Sequence, residues 1–157
     1  MNNTQNVHFG IQKIEEYFSS FLTSGFYLTK SKTDRKGFGN WVVVLQSKQC
    51  LIKFIQDRGS VSALIGPAWA SKDPFELEHF FELYLLIDFN NKNQSIVFPP
   101  KYDEYDIDKK LRGLSIILKE NFHDLVLILN SEDILKVEKE VKDFNLQRLR
   151  RIYPNIK

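Results

Sequence analysis

A single cysteine in 157 residues excludes an intramolecular disulfide, and seven glycines with five prolines exclude a collagen-like or Pro/Gly-rich disordered chain. The longest uninterrupted apolar runs, 41–45, 83–87 and 125–129, hold five residues each. A helix needs about 20 apolar residues to cross a bilayer, so no membrane span is expected. Residues 1–10 show neither a basic start nor an apolar stretch, which predicts no signal peptide and a cytoplasmic protein with a reduced thiol. No Gly-x-Ser-x-Gly elbow and no Gly-x-x-x-x-Gly-Lys phosphate loop occurs. Gly37-Phe38-Gly39 lacks the third glycine of a dinucleotide-binding loop and leads into a strand pattern, which reads as a turn.

What the chain has in quantity is phenylalanine, 13 of its 21 aromatic residues, and their placement follows structural periods. Ile11, Ile14, Phe18, Phe21 and Leu22 share one face of a short helix ending before Gly25, with 1–9 as a mobile tail holding His8. Short β-branched and aromatic runs follow at 26–28, 41–45, 51–55 and 61–65, and Gln56-Asp57-Arg58-Gly59 joins two of them as a hairpin turn. This spacing predicts an antiparallel meander of about four strands closed by Gly66-Pro67.

The period then becomes helical. Asp73-Pro74-Phe75-Glu76 has the composition of a helix start, an N-cap followed by proline, and Leu77, Phe80, Phe81, Tyr84, Leu85 and Asp88 continue one face. Ile96-Val97-Phe98 is a fifth short strand or an extended segment, since Pro99-Pro100 ends it. Ile107, Leu111, Leu114, Leu118, Phe122, Leu125 and Leu129 mark the most regular helix, and Ile134, Val137, Val141, Phe144, Leu149 and Ile152 a last one, the two forming an antiparallel hairpin. The fold expected over 1–157 is one α+β domain: a meander packed with an N-terminal helix and three C-terminal helices.

Candidate catalytic chemistry is sparse. Glu76 with His79 and Glu120 with His123 have the Glu-x-x-His spacing of di-metal bundles. At 100° per residue all four point away from the apolar faces, so exposed helix surface is the preferred reading and no metal or cofactor is expected. Cys50, at a strand start, lacks a recognisable base partner and reads as a small partly buried residue. A non-enzymatic protein is the expectation.

Charge is more informative. The net charge of +2 combines +5 over residues 1–72, −7 over 73–108, zero over 109–135 and +4 over 136–157. The acidic part contains Tyr102-Asp103-Glu104-Tyr105-Asp106-Ile107-Asp108. Asp106 or Asp108 can cap the following helix, but capping does not account for all four acids or both tyrosines. Tyr102, Asp103, Glu104, Tyr105, Asp106 and Asp108 therefore form a candidate surface on which tyrosines anchor and acids select a basic protein partner. The alternative places nucleic acid on Arg148, Arg150 and Arg151, where interleaved Glu138, Glu140 and Asp143 favour an ordinary solvated helix. Trp41 is expected in the core, and Trp69 as a contact residue or a lid on the core.

The stretch Trp41-Val42-Val43-Val44-Leu45-Gln46-Ser47, then Phe54-Ile55-Gln56-Asp57-Arg58-Gly59 and Gly66-Pro67, resembles a group of small bacterial proteins, some similar to immunity proteins encoded beside secreted toxins. The resemblance spans residues 41–67 and carries over no functional residue. It implies a cytoplasmic binding protein, an immunity-type inhibitor of a basic toxin.

Overall fold

The computed structural model describes residues 3–33, 40–91 and 106–154. Two helices, α1 (Asn3–Tyr17) and α2 (Ser19–Thr23), precede four long strands, β1 (Tyr27–Thr33), β2 (Trp41–Gln46), β3 (Cys50–Asp57) and β4 (Ser60–Pro67). A short β5 (Phe81–Glu82) leads directly into α3 (Leu83–Asn90), followed by α4 (Ile107–Leu129) and α5 (Ile134–Ile152). The sheet is an antiparallel meander in the order β1-β2-β3-β4-β5, so the expected α+β architecture is present with one additional strand. The added strand is Phe81–Glu82; residues 96–98 lie outside the described residues, as do 37–39. Among the described residues, no helix is long and apolar enough to cross a membrane.

The hairpin between β3 and β4 has two loop residues, Arg58 (φ 49°) and Gly59 (φ 83°), both in the left-handed region that a tight hairpin demands. Asn40 supports this turn from the start of β2. Its amide donates to Asp57 (2.7 Å), and its carbonyl oxygen accepts from the Arg58 backbone N–H (3.0 Å).

Alternation along the strands sends Trp41, Val43, Leu45, Ile52, Phe54, Ala63 and Ile65 to one face, where they meet the helices in the main core. Phe18 packs on Phe54 with ring centroids 4.4 Å apart. Phe21, Phe26 and Phe122 meet edge to face at 5.6–5.7 Å and join the N-terminal helices to α4, which explains much of the phenylalanine excess. In α4, Leu111, Leu114, Leu118, Leu125 and Leu129 are all buried, as their spacing predicts. In α5 only Val141 is fully buried, while Phe144 reaches the Phe89 ring of α3.

One expectation needs correction. Residues 3–9 are not a tail, because the apolar period extends back through Val7, which packs on the core, and α1 begins at Asn3. His8 sits in this helix, its ring 3.4 Å from the Gln12 amide. The helix approaches the sheet closely at Gly10, where an added Cβ would lie 2.6 Å from the indole of Trp41.

That approach is testable. Gly10→Ala adds up to about 1 kcal/mol of helix propensity, but overpacking a buried, confined indole costs about 1–3 kcal/mol. Urea denaturation should show a net loss of stability, and a net gain would contradict the close approach.

Candidate functional site

The second face of the sheet carries Val42, Val44, Leu51 and Ile55, and it is buried too, which is uncommon for an antiparallel sheet. Its cover is a loop, residues 67–80, and the loop is held by a lysine. Lys53 lies between Leu51 and Ile55 on this face with 0% of its surface exposed. Its ammonium donates to the backbone carbonyl of Asp73 (2.6 Å) and to that of Glu76, and it sits 3.9 Å from the centroid of the Phe80 ring. Two carbonyl acceptors and an aromatic face replace the water the charge has lost. Burial still pulls the lysine below its ordinary pKa, partly offset by the nearby Asp73 and Glu76 carboxylates.

The loop is further ordered by its own side chains. Asp73 accepts from the Phe75 N–H (2.9 Å), the main reason its carboxyl is held below the usual carboxylate range, and Ser71 accepts from the Asp73 N–H (3.1 Å). Phe80 closes over Gly66, where an added Cβ would lie 2.9 Å from the ring. Beside it His79 takes a left-handed backbone conformation, φ 65°, unusual for a residue other than glycine. Its imidazole spans to α5, with Nδ1 2.5 Å from the Glu138 carboxylate, and it meets the ring of Trp69 at 4.8 Å.

The anchored loop displays apolar groups outward. Trp69 is 61% exposed, and Phe75 and Leu77 are about half exposed, between and beside the exposed acids Glu76 and Glu78. Next to Phe75 lies a cleft of about 310 Å³, walled by Trp41, Val42, Ile55, Pro74 and Leu77 with Asn40, Gln56 and Asp57 as its polar lining. This volume is at the lower end for a ligand pocket and has room for a single inserted side chain.

The loop also corrects the reading of 73–80 as a helix. The capping signal at Asp73 is real, but it closes an isolated turn. Lys53 takes the two carbonyls that would otherwise accept intrahelical bonds, and His79 adopts a non-helical φ. The helix starts nine residues later at Leu83, capped by Glu82 in place of Asp73, and the Glu82 carboxylate accepts from Leu85 N–H (2.8 Å) and has its pKa raised by burial. His79 therefore does not share an exposed helix face with Glu76, whereas Glu120 and His123 do lie exposed on α4. Among the described residues, no group of three His, Cys, Asp or Glu side chains is arranged to hold a metal ion.

Tyr102, Asp103, Glu104 and Tyr105 lie outside the described residues. Asp106 is the N-cap of α4, accepting from Lys109 N–H (3.2 Å). Asp108, its side chain about half exposed, reaches Lys13 of α1 at 2.7 Å, a contact that lowers its pKa. The structure thus ties both described acids of that segment to stabilising α4. Arg148 also turns inward, its guanidinium 3.5 Å from the buried Asp88 carboxylate. Only Arg150 and Arg151 of the three arginines remain exposed, which removes one cation from the nucleic-acid alternative. Cys50 is buried beside Ser47 and burial pushes its thiol up to about 12, the opposite of an activated nucleophile. The His79–Glu138 pair has the form of a base and its orienting carboxylate, yet Nε2 looks onto Glu78 at 3.8 Å instead of a hydroxyl or thiol.

Compared with known proteins, the chain matches no family model, no curated protein and no solved structure. Trp69 is recognisable in the sequence as a loop aromatic, whereas its support is not. The available signal was Lys53 itself, a charge on a strand face whose other members are apolar and which must therefore be covered and paired.

Lys53→Met tests the anchor. It removes a donor from the loop carbonyls and should cost about 1–3 kcal/mol in chemical denaturation. The folded pKa lies below the unfolded one, so between the two the unfolded chain binds more protons and stability rises with pH. The margin of the parent over Lys53→Met should widen as pH approaches the ordinary lysine value of 10.5, and a constant margin would contradict the buried charge.

Proposed function

We propose that the protein works by binding another protein, as a cytoplasmic immunity-type inhibitor does, and that the loop 67–80 makes the contact. The observation that carries this reading is an exposed set of large apolar side chains on a backbone pinned from beneath. Trp69, Phe75 and Leu77 face solvent, while Lys53 and the His79–Glu138 bridge hold the segment that bears them. Binding normally costs conformational entropy at the contact, and a loop already fixed loses little of it. Exposed aromatics on such a support, beside a cleft able to desolvate one inserted side chain, have the character of binding hot spots.

The carboxylates at the Leu77 end of the loop suit a basic partner, while Phe75 carries the Lys32 ammonium over its ring at 4.8 Å. The pattern assigned from sequence to residues 102–108, anchors interleaved with acids, occurs among the described residues in Phe75-Glu76-Leu77-Glu78. Both glutamates are exposed, and Glu78 stands between the loop tip and His79. A basic toxin surface presents lysines or arginines to these carboxylates while its apolar groups meet Leu77 and Phe75.

A photo-reactive amino acid at position 69 captures the partner in cells, and calorimetry on the purified pair then measures the contact. Phe75→Ala with Leu77→Ala should weaken binding by about 30-fold or more, equivalent to about 2 kcal/mol. The circular dichroism spectrum should be unchanged because both side chains are exposed. Unaltered affinity would remove the loop from the interface.

A further inference from the structure

α5 uses only one of its faces to join the body of the protein. Ile134, Val137, Val141, Phe144 and Arg148 are turned inward, spaced 3, 4, 3 and 4. A second series runs along the opposite side: Leu135, Lys139, Lys142, Leu146, Leu149 and Tyr153, spaced 4, 3, 4, 3 and 4, and every member is exposed. Leu135 is 64% and Tyr153 56% exposed. Single exposed leucines are ordinary. Four apolar residues in one seam with the period of a helix pair are not explained by the helix's own packing.

The two lysines decide what fits there. Among the described residues neither Lys139 nor Lys142 has an ion-pair partner, and of the charges flanking the seam Lys136 and Arg150 are positive, Asp143 is negative and Glu138 is engaged by His79, which leaves the seam net positive. Docking a helix on this seam covers the lysine stems, and an ammonium covered without a carboxylate is costly. A second copy of α5 brings two more lysines and only Asp143 as an exposed flanking acid, Glu138 being held by His79: in parallel it sets each lysine against itself, and antiparallel it sets Lys139 against Leu149 and Lys142 against Leu146. On a lipid surface the lysines would divide the apolar strip, with Leu135 on one side and Leu146, Leu149 and Tyr153 on the other.

We infer that this face of α5 is a docking seam for an acidic amphipathic helix of a partner protein. Its carboxylates lie opposite Lys139 and Lys142, and its aliphatic side chains lie opposite Leu135, Leu146 and Leu149. The two lysines fix the register of the pair, as single polar seam residues do in coiled coils. The seam is independent of the loop 67–80, and it selects the opposite charge.

The test uses the intact protein and two labelled synthetic helices with leucine seams, one carrying Glu and the other Lys at the positions facing Lys139 and Lys142. By fluorescence anisotropy the Glu helix should bind about tenfold more tightly or better, with the preference shrinking as salt rises. The preference should reverse in a Lys139→Glu, Lys142→Glu variant. Leu146→Ser with Leu149→Ser should abolish binding while the circular dichroism spectrum and a cooperative melting transition are retained, since both leucines are partly exposed. Equal affinity for the two helices, or no binding of the Glu helix, overturns the proposal. So does a dimer of the protein alone that Leu146→Ser dissociates, which gives the seam to a second copy. Pelleting with phosphatidylserine vesicles that the same substitution prevents gives it to lipid and also overturns the proposal.

Discussion

An ammonium group withdrawn from water has to be solvated by the protein, and Lys53 meets this requirement with the Asp73 and Glu76 carbonyls and the Phe80 ring. The acceptors come from a segment about 20 residues away, so satisfying the charge and closing the sheet are one event. With the loop in place, Ala70 and Phe80 complete a second core over Val42, Val44 and Leu51. A methionine at this position would be easier to bury but indifferent to where the carbonyls lie. Desolvating the charge is costly, the two carbonyls and the ring offset that cost, and the need for them specifies one loop geometry, as buried polar groups fix register elsewhere.

The same economy governs the acidic middle of the chain. Glu82 caps α3, Asp88 holds Arg148, Asp106 caps α4 and Asp108 holds Lys13. Part of the charge segregation visible along the sequence thus serves helix caps and ion pairs within the chain. The acids left to solvent in that stretch include Glu76 and Glu78, beside the exposed apolar residues of the covering loop. The basic end of the chain divides likewise, with Arg148 inward and Lys139, Lys142, Arg150 and Arg151 outward.

The elements legible in the sequence are those whose information is local. The leucine spacing of α4 and the β-branched and aromatic runs and turn chemistry of β2, β3 and β4 each lie within one segment, and the structure follows them. The loop 67–80 is different, because Asp73-Pro74-Phe75-Glu76 is a sound helix start by local rules and loses only to Lys53. His79 and Glu138 are 59 residues apart and nothing local announces their bond. Trp69 was recognisable as a loop aromatic, whereas the rigidity that makes it useful depends on these distant contacts. The seam on α5 is written in the sequence, yet the inward series at neighbouring positions obscures it until exposure separates the two.

Pinned by Lys53, the display loop is as firmly held as the sheet beneath it. Native-state amide hydrogen exchange measures this on the unaltered protein, because the Phe75, Glu76 and Phe80 N–H groups all donate within the loop. These amides should open with free energies close to those of the β3 amides. Exchange of these amides at rates near those of an unstructured chain, while β3 stays protected, would contradict this.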